Sequence, residues 1–423
     1  MLGSESARTR LWWKALRYHF VPPSIFPAVL GALVALAVNH TFYPLFFLLV
    51  LIGVVINHVA LNMADDYFDY KHEVDRSKPD ERNPYSGGSG TLGRGLIRPS
   101  AMLKACVACF SVAVAIGLYL TVARGFPVLL FCLLGFFCSV FYTAPPISFS
   151  RHGLGELGQL VNFGTTIGLG SYFVQAQKLS LQAFVATLPL GIMLFSMIII
   201  NEVPDCEEDR LAGKLTLVAR YGKRAGVRLY FASWACTYAV IALGVLSRVL
   251  PLTALLAFAS LPLALRSMQT LRENYGDPVG LAPANLGMIK AHSVACFGMI
   301  AAYSIQGVTG HANIAQLLLL LLLLAIFYAP ATLALRKNRR GPALGLRHDD
   351  FVDNVDDAVG RSDVSLDNLC AVHIDALAEQ TLSLQGYWLS LHRLHLRRLS
   401  LRHVHHVRRR DPSWYDVVSQ DRR

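Results

Sequence analysis

An all-α, polytopic membrane helix bundle is predicted by three features of this chain. Hydrophobic residues fill 54% of its 423 positions and charged residues only 16%, with a mean hydropathy of +0.42, a combination that soluble domains do not carry. Apolar runs of about twenty residues, the length that crosses a bilayer as a helix, recur ten times, near 18–39, 43–64, 101–122, 126–146, 156–176, 181–201, 226–246, 250–268, 287–308 and 314–335. Finally, Lys and Arg gather in alternate connections between these runs, the signature of a fixed orientation with the basic loops in the cytoplasm.

The segment before the first run holds Arg8, Arg10, Lys14 and Arg17. Its basic start followed by apolar sequence imitates a signal peptide, but the apolar part is too long and no small-residue cleavage site follows. It reads as a retained first span, preceded over residues 1–17 by an interfacial segment whose Trp12, Trp13 and Tyr18 suit the headgroup zone. Spans one and two, joined by little more than Asn39-His40-Thr41, form a tight antiparallel pair.

Span two ends in Asn62-Met-Ala-Asp65-Asp66-Tyr-Phe-Asp69-Tyr-Lys71-His-Glu-Val-Asp75. On a helix, Asn62, Asp66 and Asp69 share a face, while Asp65 is expected on another face, in solvent. Asp75, farther on if the helix continues, is an outer candidate. The connection that follows carries Lys71, Arg76, Lys78, Arg82, Arg94 and Arg98 around Ser86-Gly-Gly-Ser-Gly90. Such a glycine-rich stretch either cradles a phosphate with its bare amides or is a flexible linker.

Span three contains Cys106 and Cys109, a Cys-x-x-Cys with neither His nor acid nearby, which reads as core packing; the eight cysteines are scattered and imply no disulfide framework. Prolines 145 and 146 end span four, leaving Tyr142 and Thr143 at its cytoplasmic end. Glu156, at the start of span five, is either a proton acceptor or neighbour of a cation, or a charge favoured in a first helical turn.

Span six repeats the pattern of span two with Asn201-Glu-Val-Pro-Asp205-Cys-Glu-Glu208-Asp209. The basic amphipathic stretch after it holds Arg210, Lys214, Arg220, Lys223 and Arg224. Lys290 and His292 open span nine on the same side, where Lys290 is expected to snorkel to the interface. Span ten, with its run Leu317 to Leu324, reads as lipid-facing filler. From about Arg336 the character changes: residues 337–423 form a tail, acidic between Asp349 and Asp375 and then basic with scattered His, expected to be a largely disordered cytoplasmic extension without catalytic role. The net charge of +11 reflects orientation and attraction to anionic lipid rather than nucleic acid.

Acids at membrane depth cost about 2.5–3.5 kcal/mol each at a helix centre, so these two clusters need a purpose. Asp66, Asp69, Asp205 and Asp209, converging on one cavity, would repel unless divalent cations neutralised them. A binuclear Mg²⁺ site shared with a diphosphate satisfies this, since Mg²⁺ takes a few carboxylates together with phosphate oxygens. Cations near a leaving diphosphate promote its departure, and an allylic chain then leaves a delocalised carbocation that a dry cavity protects from water.

At these residues the chain resembles the UbiA superfamily of intramembrane aromatic prenyltransferases. Asn62, Asp66 and Asp69 match its first motif and Asp205 and Asp209 its second; Tyr142-Thr-Ala-Pro-Pro146, Gly155-Glu156 and Gly213-Lys214-x-Thr216 fit as well. The wording Asp66-Tyr-Phe-Asp69-Tyr-Lys71, with Ser86-Gly-Gly-Ser, is most similar to the branch that prenylates 1,4-dihydroxy-2-naphthoate in menaquinone synthesis, although His72-Glu73 stands where close relatives of that branch often carry Lys-Gly. The resemblance implies a nine-helix core, here residues 18–310, around a central cavity capped by cytoplasmic loop helices. The span at 311–336 would then be an additional transmembrane helix. It further implies that Asn62, Asp66, Asp69, Asp205 and Asp209 are catalytic and hold Mg²⁺, with Asp75 an outer ligand, and that Lys71, Arg94, Tyr142, Lys214 and Arg220 bind the diphosphate. The expected substrates are a polyprenyl diphosphate and an aromatic acceptor, and the expected location is the bacterial inner membrane with the site facing the cytoplasm. Another superfamily acceptor (4-hydroxybenzoate, a chlorin, a haem or a specialised metabolite) is the alternative within the family. A cation transporter is the alternative outside it, disfavoured because both motifs lie at one membrane face rather than the midplane.

Overall fold

Helix follows helix along the chain because twenty apolar residues in lipid must satisfy every backbone group internally. The computed structural model describes residues 2–74, 83 and 85–339, and residues Met1–Gly341 form one compact unit. Asp75 and the tail from Arg340 onward, with the readings made of them above, lie outside the described residues.

In chain order the helices are α1 Leu2–Ala15, α2 Pro22–Asn39, α3 Pro44–Lys71, α4 Pro99–Arg124, α5 Pro127–Val140, α6 Gly155–Leu160, α7 Ile167–Ala176, α8 Leu181–Leu211, α9 Leu217–Tyr221, α10 Lys223–Leu246, α11 Leu261–Asn274, α12 Ala282–Thr309 and α13 Ile314–Arg339. Short 3-10 turns at Tyr18–Phe20 and Leu252–Ser260 precede α2 and α11. Among the described residues, eight helical segments are long and apolar enough to cross a membrane, and this is an integral, multi-pass membrane protein.

Two of the ten predicted spans differ in form. The fourth ends early, at Val140, because the prolines that follow cannot extend a helix; its 14 residues reach only about 21 Å. The fifth is interrupted by a π-helical turn at Val161–Thr166 between α6 and α7, a widening that often marks functional sites. Here it carries Phe163 to the cavity wall.

Nothing in the periodicity distinguishes α2 from the other spans, yet it is the hub. Nearly all its side chains are buried, and it packs against α3, α7, α8, α12 and α13. Close approach to α7 depends on glycine: a Cβ on Gly31 would meet the carbonyl of Gly168, and one on Gly191 of α8 would meet the carbonyl of Leu160. Small residues let membrane helices approach in this way, and Ser171 Oγ donates to the Ala28 carbonyl at 2.6 Å across the same seam. The outward faces of α4, α5 and α10 carry exposed apolar side chains such as Val107, Leu118, Leu130 and Leu243, as lipid contact requires.

Candidate active site

The C-terminal turns of α3 and α8 border one cavity of about 160 Å³. Asn62, Asp69, Asp205 and Asp209 line it together, so the two acidic motifs do form one site. Asp66 sits just behind the wall, buried, with Oδ1 accepting the Ser89 amide at 3.0 Å. Away from the acids the wall becomes apolar, with Pro23, Leu61, Phe163, Leu194, Met197 and Ile198. Between the two zones stand His58, Tyr142, Gln159 and Glu202.

Asp65 corrects the expectation that it faces solvent. It lines the cavity, and its Oδ2 pairs with Arg17 Nη1 at 3.0 Å. Helical arithmetic explains the difference: Asp65 is three residues from Asn62 and four from Asp69, so it shares their stripe. Likewise Glu202, three residues before Asp205 and seven before Asp209, lines the cavity on the second stripe, with Oε2 buried and accepting no hydrogen bond.

Four of the carboxylates, Asp65, Asp66, Asp69 and Asp205, are held by groups of the protein. Arg17 bridges Asp65 and, at 3.4 Å, Asp66, while its Nη2 donates to the Gly87 carbonyl at 3.0 Å. Lys214 Nζ donates to Asp69 Oδ2 at 2.8 Å. Burial alone would lower the Lys214 ammonium pKa, but the surrounding carboxylates, Asp69 and Asp209 foremost, raise it well above the ordinary lysine value. Asp205 accepts from Ser86 Oγ at 2.9 Å and from the Gly87 amide at 3.0 Å. The glycine-rich stretch is therefore neither a loose linker nor a bare anion cradle: its amides at 87 and 89 tie Asp205 of one motif to Asp66 of the other. Gly87, at φ 70, supplies the left-handed turn that lets this happen.

An amide chain anchors that stretch. Asn285 of α12 donates to Asn201 Oδ1 at 2.7 Å and to the Ile200 carbonyl at 3.3 Å. Pro204, four residues after Ile200, has no N–H to give that carbonyl, and Asn285 takes its place. Asn83 Nδ2 in turn donates to Asn285 Oδ1 at 2.9 Å. Neither Asn83 nor Asn285 stands out in the sequence, although an Asn inside an apolar helix invites the question of its partner. Asn62 Nδ2 donates to the Leu16 carbonyl at 3.1 Å, leaving only its oxygen to serve a ligand.

Of the residues expected to bind diphosphate, Lys214 and Tyr142 line the cavity, and Lys71, Arg94 and Arg220 do not. Lys71 is the last residue of α3 and exposed; Arg94 is exposed in the loop; Arg220 is exposed on α9 and donates to the His152 carbonyl at 3.2 Å. The helix stops at Lys71, with Glu73 left-handed at φ 55. Glu156 is buried and accepts the Leu217 amide at 2.6 Å, an anion at the start of α9. Lys290 is exposed, and His292 is buried against Phe26 and Cys296; neither lines the cavity.

The sequence matches the profile of the UbiA prenyltransferase family over residues 24–280. The chain belongs to the UbiA prenyltransferase family. This UbiA-family protein is 27% identical over 233 residues, 54% of its length and 71% of the relative's, to a 1,4-dihydroxy-2-naphthoate octaprenyltransferase of Bacillus subtilis. It is 29% identical over 229 residues to the Escherichia coli enzyme of the same name, covering 53% and 72% of the two chains. It is 23% identical over 305 residues, 72% and 96%, to a 2-carboxy-1,4-naphthoquinone phytyltransferase of Synechocystis. Among solved structures, a UbiA homologue from Aeropyrum pernix superposes with a TM-score of 0.52 at 16% identity, covering 66% of this chain and 97% of the other, which supports the fold. The protein is a prenyltransferase.

The family implies Mg²⁺, and the donor set can be tested against it. The cavity's acid end offers hard oxygen ligands only, and Asp65 Oδ1 and Asp66 Oδ2 are buried without a hydrogen-bond partner, which suits a hard cation. Among the described residues no three carboxylate, His or Cys side chains gather closely enough to hold an ion by themselves. Mg²⁺ bound through one or two carboxylates plus substrate phosphate oxygens needs no such trio, so the residues fit.

Proposed function

We propose that this protein transfers a polyprenyl group from an allylic diphosphate to 1,4-dihydroxy-2-naphthoate, in menaquinone synthesis, at a site facing the cytoplasm of a bacterial inner membrane. One observation carries the reading: a single cavity has both acidic motifs at one end and an apolar wall at the other, the shape of a ligand with a diphosphate head and a hydrocarbon tail. Similarity to the naphthoate octaprenyltransferases supports the choice of acceptor.

Asn62, Asp66 and Asp69 on one side, and Asp205 and Asp209 on the other, would hold Mg²⁺. When bound, the ions neutralise the charge that develops on the departing diphosphate. Lys214 and Arg17, both on the wall, are the cations available to the phosphate oxygens. Breaking the allylic C–O bond leaves the pair of electrons on diphosphate and a carbocation in the cavity, where Phe163 and Met197 exclude water. A ring carbon of the acceptor then forms the new C–C bond. The proton that the ring sheds passes to the released diphosphate; where the attacked carbon bears the carboxylate, carbon dioxide leaves instead.

Purified protein given geranylgeranyl diphosphate, Mg²⁺ and a panel of acceptors should prenylate dihydroxynaphthoate in preference to 4-hydroxybenzoate. Asp66→Ala and Asp205→Ala should each lower pyrophosphate release by about 10²–10³-fold. Intact release in either variant refutes the site, and transfer only to another acceptor refutes the substrate.

A further inference from the structure

Helix α13 lies beyond the family match, which ends at residue 280, and its leucine run suggests hydrocarbon filler. The structure docks it by specific contacts. Leu317, Leu320, Leu324 and Ala331 are buried, at helical spacing, and α13 packs against α2, α3, α12 and the Tyr18–Phe20 turn. Tyr328 Oη donates to Ser293 Oγ of α12 at 3.1 Å and its ring joins Phe26 and Phe297 at centroid distances of 5.3 Å each.

A second bond reaches toward the active site. Pro330 stands inside α13, where the carbonyl it leaves without a helical donor is that of Ile326, next to Phe327. The Phe327 carbonyl accepts Tyr18 Oη at 3.1 Å. Tyr18 directly follows Arg17, whose backbone is left-handed at φ 48 and ψ 42, a conformation that a non-glycine residue holds only when its surroundings enforce it. That conformation is what lets the Arg17 guanidinium reach Asp65, Asp66 and the Gly87 carbonyl.

From this juxtaposition we infer that α13 is a working part of the active site: the Phe327 carbonyl fixes Tyr18 and thereby holds Arg17 in register with the diphosphate subsite. Tyr18 is a positioning residue; it touches neither substrate nor metal. The inference rests on the diphosphate reading of the cavity given above.

The test uses full-length protein and Mg²⁺ with inorganic pyrophosphate, followed by calorimetry, so no acceptor is needed. Tyr18→Phe, which deletes only the hydroxyl, should weaken pyrophosphate binding about five- to tenfold, the worth of one hydrogen bond. It should raise the donor KM by a similar factor, while acceptor KM, kcat at saturation and melting temperature stay within about twofold or 2 °C, as for a lost contact away from the reacting atoms. Tyr328→Phe removes the other polar anchor of α13 and should leave pyrophosphate binding unchanged. Unchanged binding in Tyr18→Phe overturns the inference and leaves the proposed function standing. An equal loss in Tyr328→Phe also overturns it, because general docking of α13 would then be responsible. If the wild type itself binds no pyrophosphate with Mg²⁺, the proposed function fails and this inference falls with it.

Discussion

Lys214 and Asp69, 2.8 Å apart, show how a buried charge decides function at the scale of one residue. Burial opposes the ammonium and the carboxylates around it prevail, so Lys214 remains a cation beside the proposed diphosphate subsite. Replacing it by Met should reduce prenyl transfer roughly 10²-fold, as when one preorganised charge donor is removed, measured as kcat/KM for the donor. Lys71→Ala, Arg94→Ala and Arg220→Ala should each stay within about fivefold of wild type, since these side chains are exposed and outside the cavity and exposed charges contribute little. The stripe from Asn62 to Asp69 was open to helical arithmetic, because spacing along a helix depends on the backbone alone. Arg17 was not: it reads as one more orienting charge before the first span, and only the left-handed turn at that residue carries its guanidinium to the acids.

Among the elements, the glycine seam between α2, α7 and α8 is closely packed. Gly191→Ala should lower stability by about 1–3 kcal/mol, the range for overpacking, because the added methyl meets the backbone of Leu160 and Gly164. Gly158→Ala, on α6 with nothing within 4 Å of a new Cβ, should be neutral or slightly stabilising by helix propensity. Thermal unfolding of both variants in detergent gives the comparison. The existence of the helices was evident from apolar length, whereas the π-helical turn that presents Phe163 was not, since a one-residue widening leaves no mark in hydropathy. The glycine-rich loop was visible as a motif, but its two alternative readings both missed its role in joining Asp205 to Asp66.

For the whole molecule, orientation is the property to test. The alternation of basic loops predicts that Lys71 is cytoplasmic and that Lys178, after α7, lies on the opposite side; both are exposed. In a background without reactive native cysteines, Lys178→Cys should react with a membrane-impermeant maleimide in intact cells, and Lys71→Cys only after permeabilisation. Labelling in the reverse order would put the site on the outer face and remove its access to cytoplasmic diphosphates.

Local periodicity and composition sufficed to define a helical membrane bundle with two acidic stripes, because hydropathy, charge bias and helical spacing are properties of short stretches of chain. Tertiary structure alone decided that α2 is the hub, that Asp65, Glu202 and Arg17 join the cavity, that Lys71, Arg94 and Arg220 stay outside it, and that α13 bonds to the turn beside Arg17. Those outcomes depend on contacts between residues far apart in sequence, such as Tyr18 with Phe327 or Asn83 with Asn285, and no local pattern encodes which distant partner a buried polar group will find.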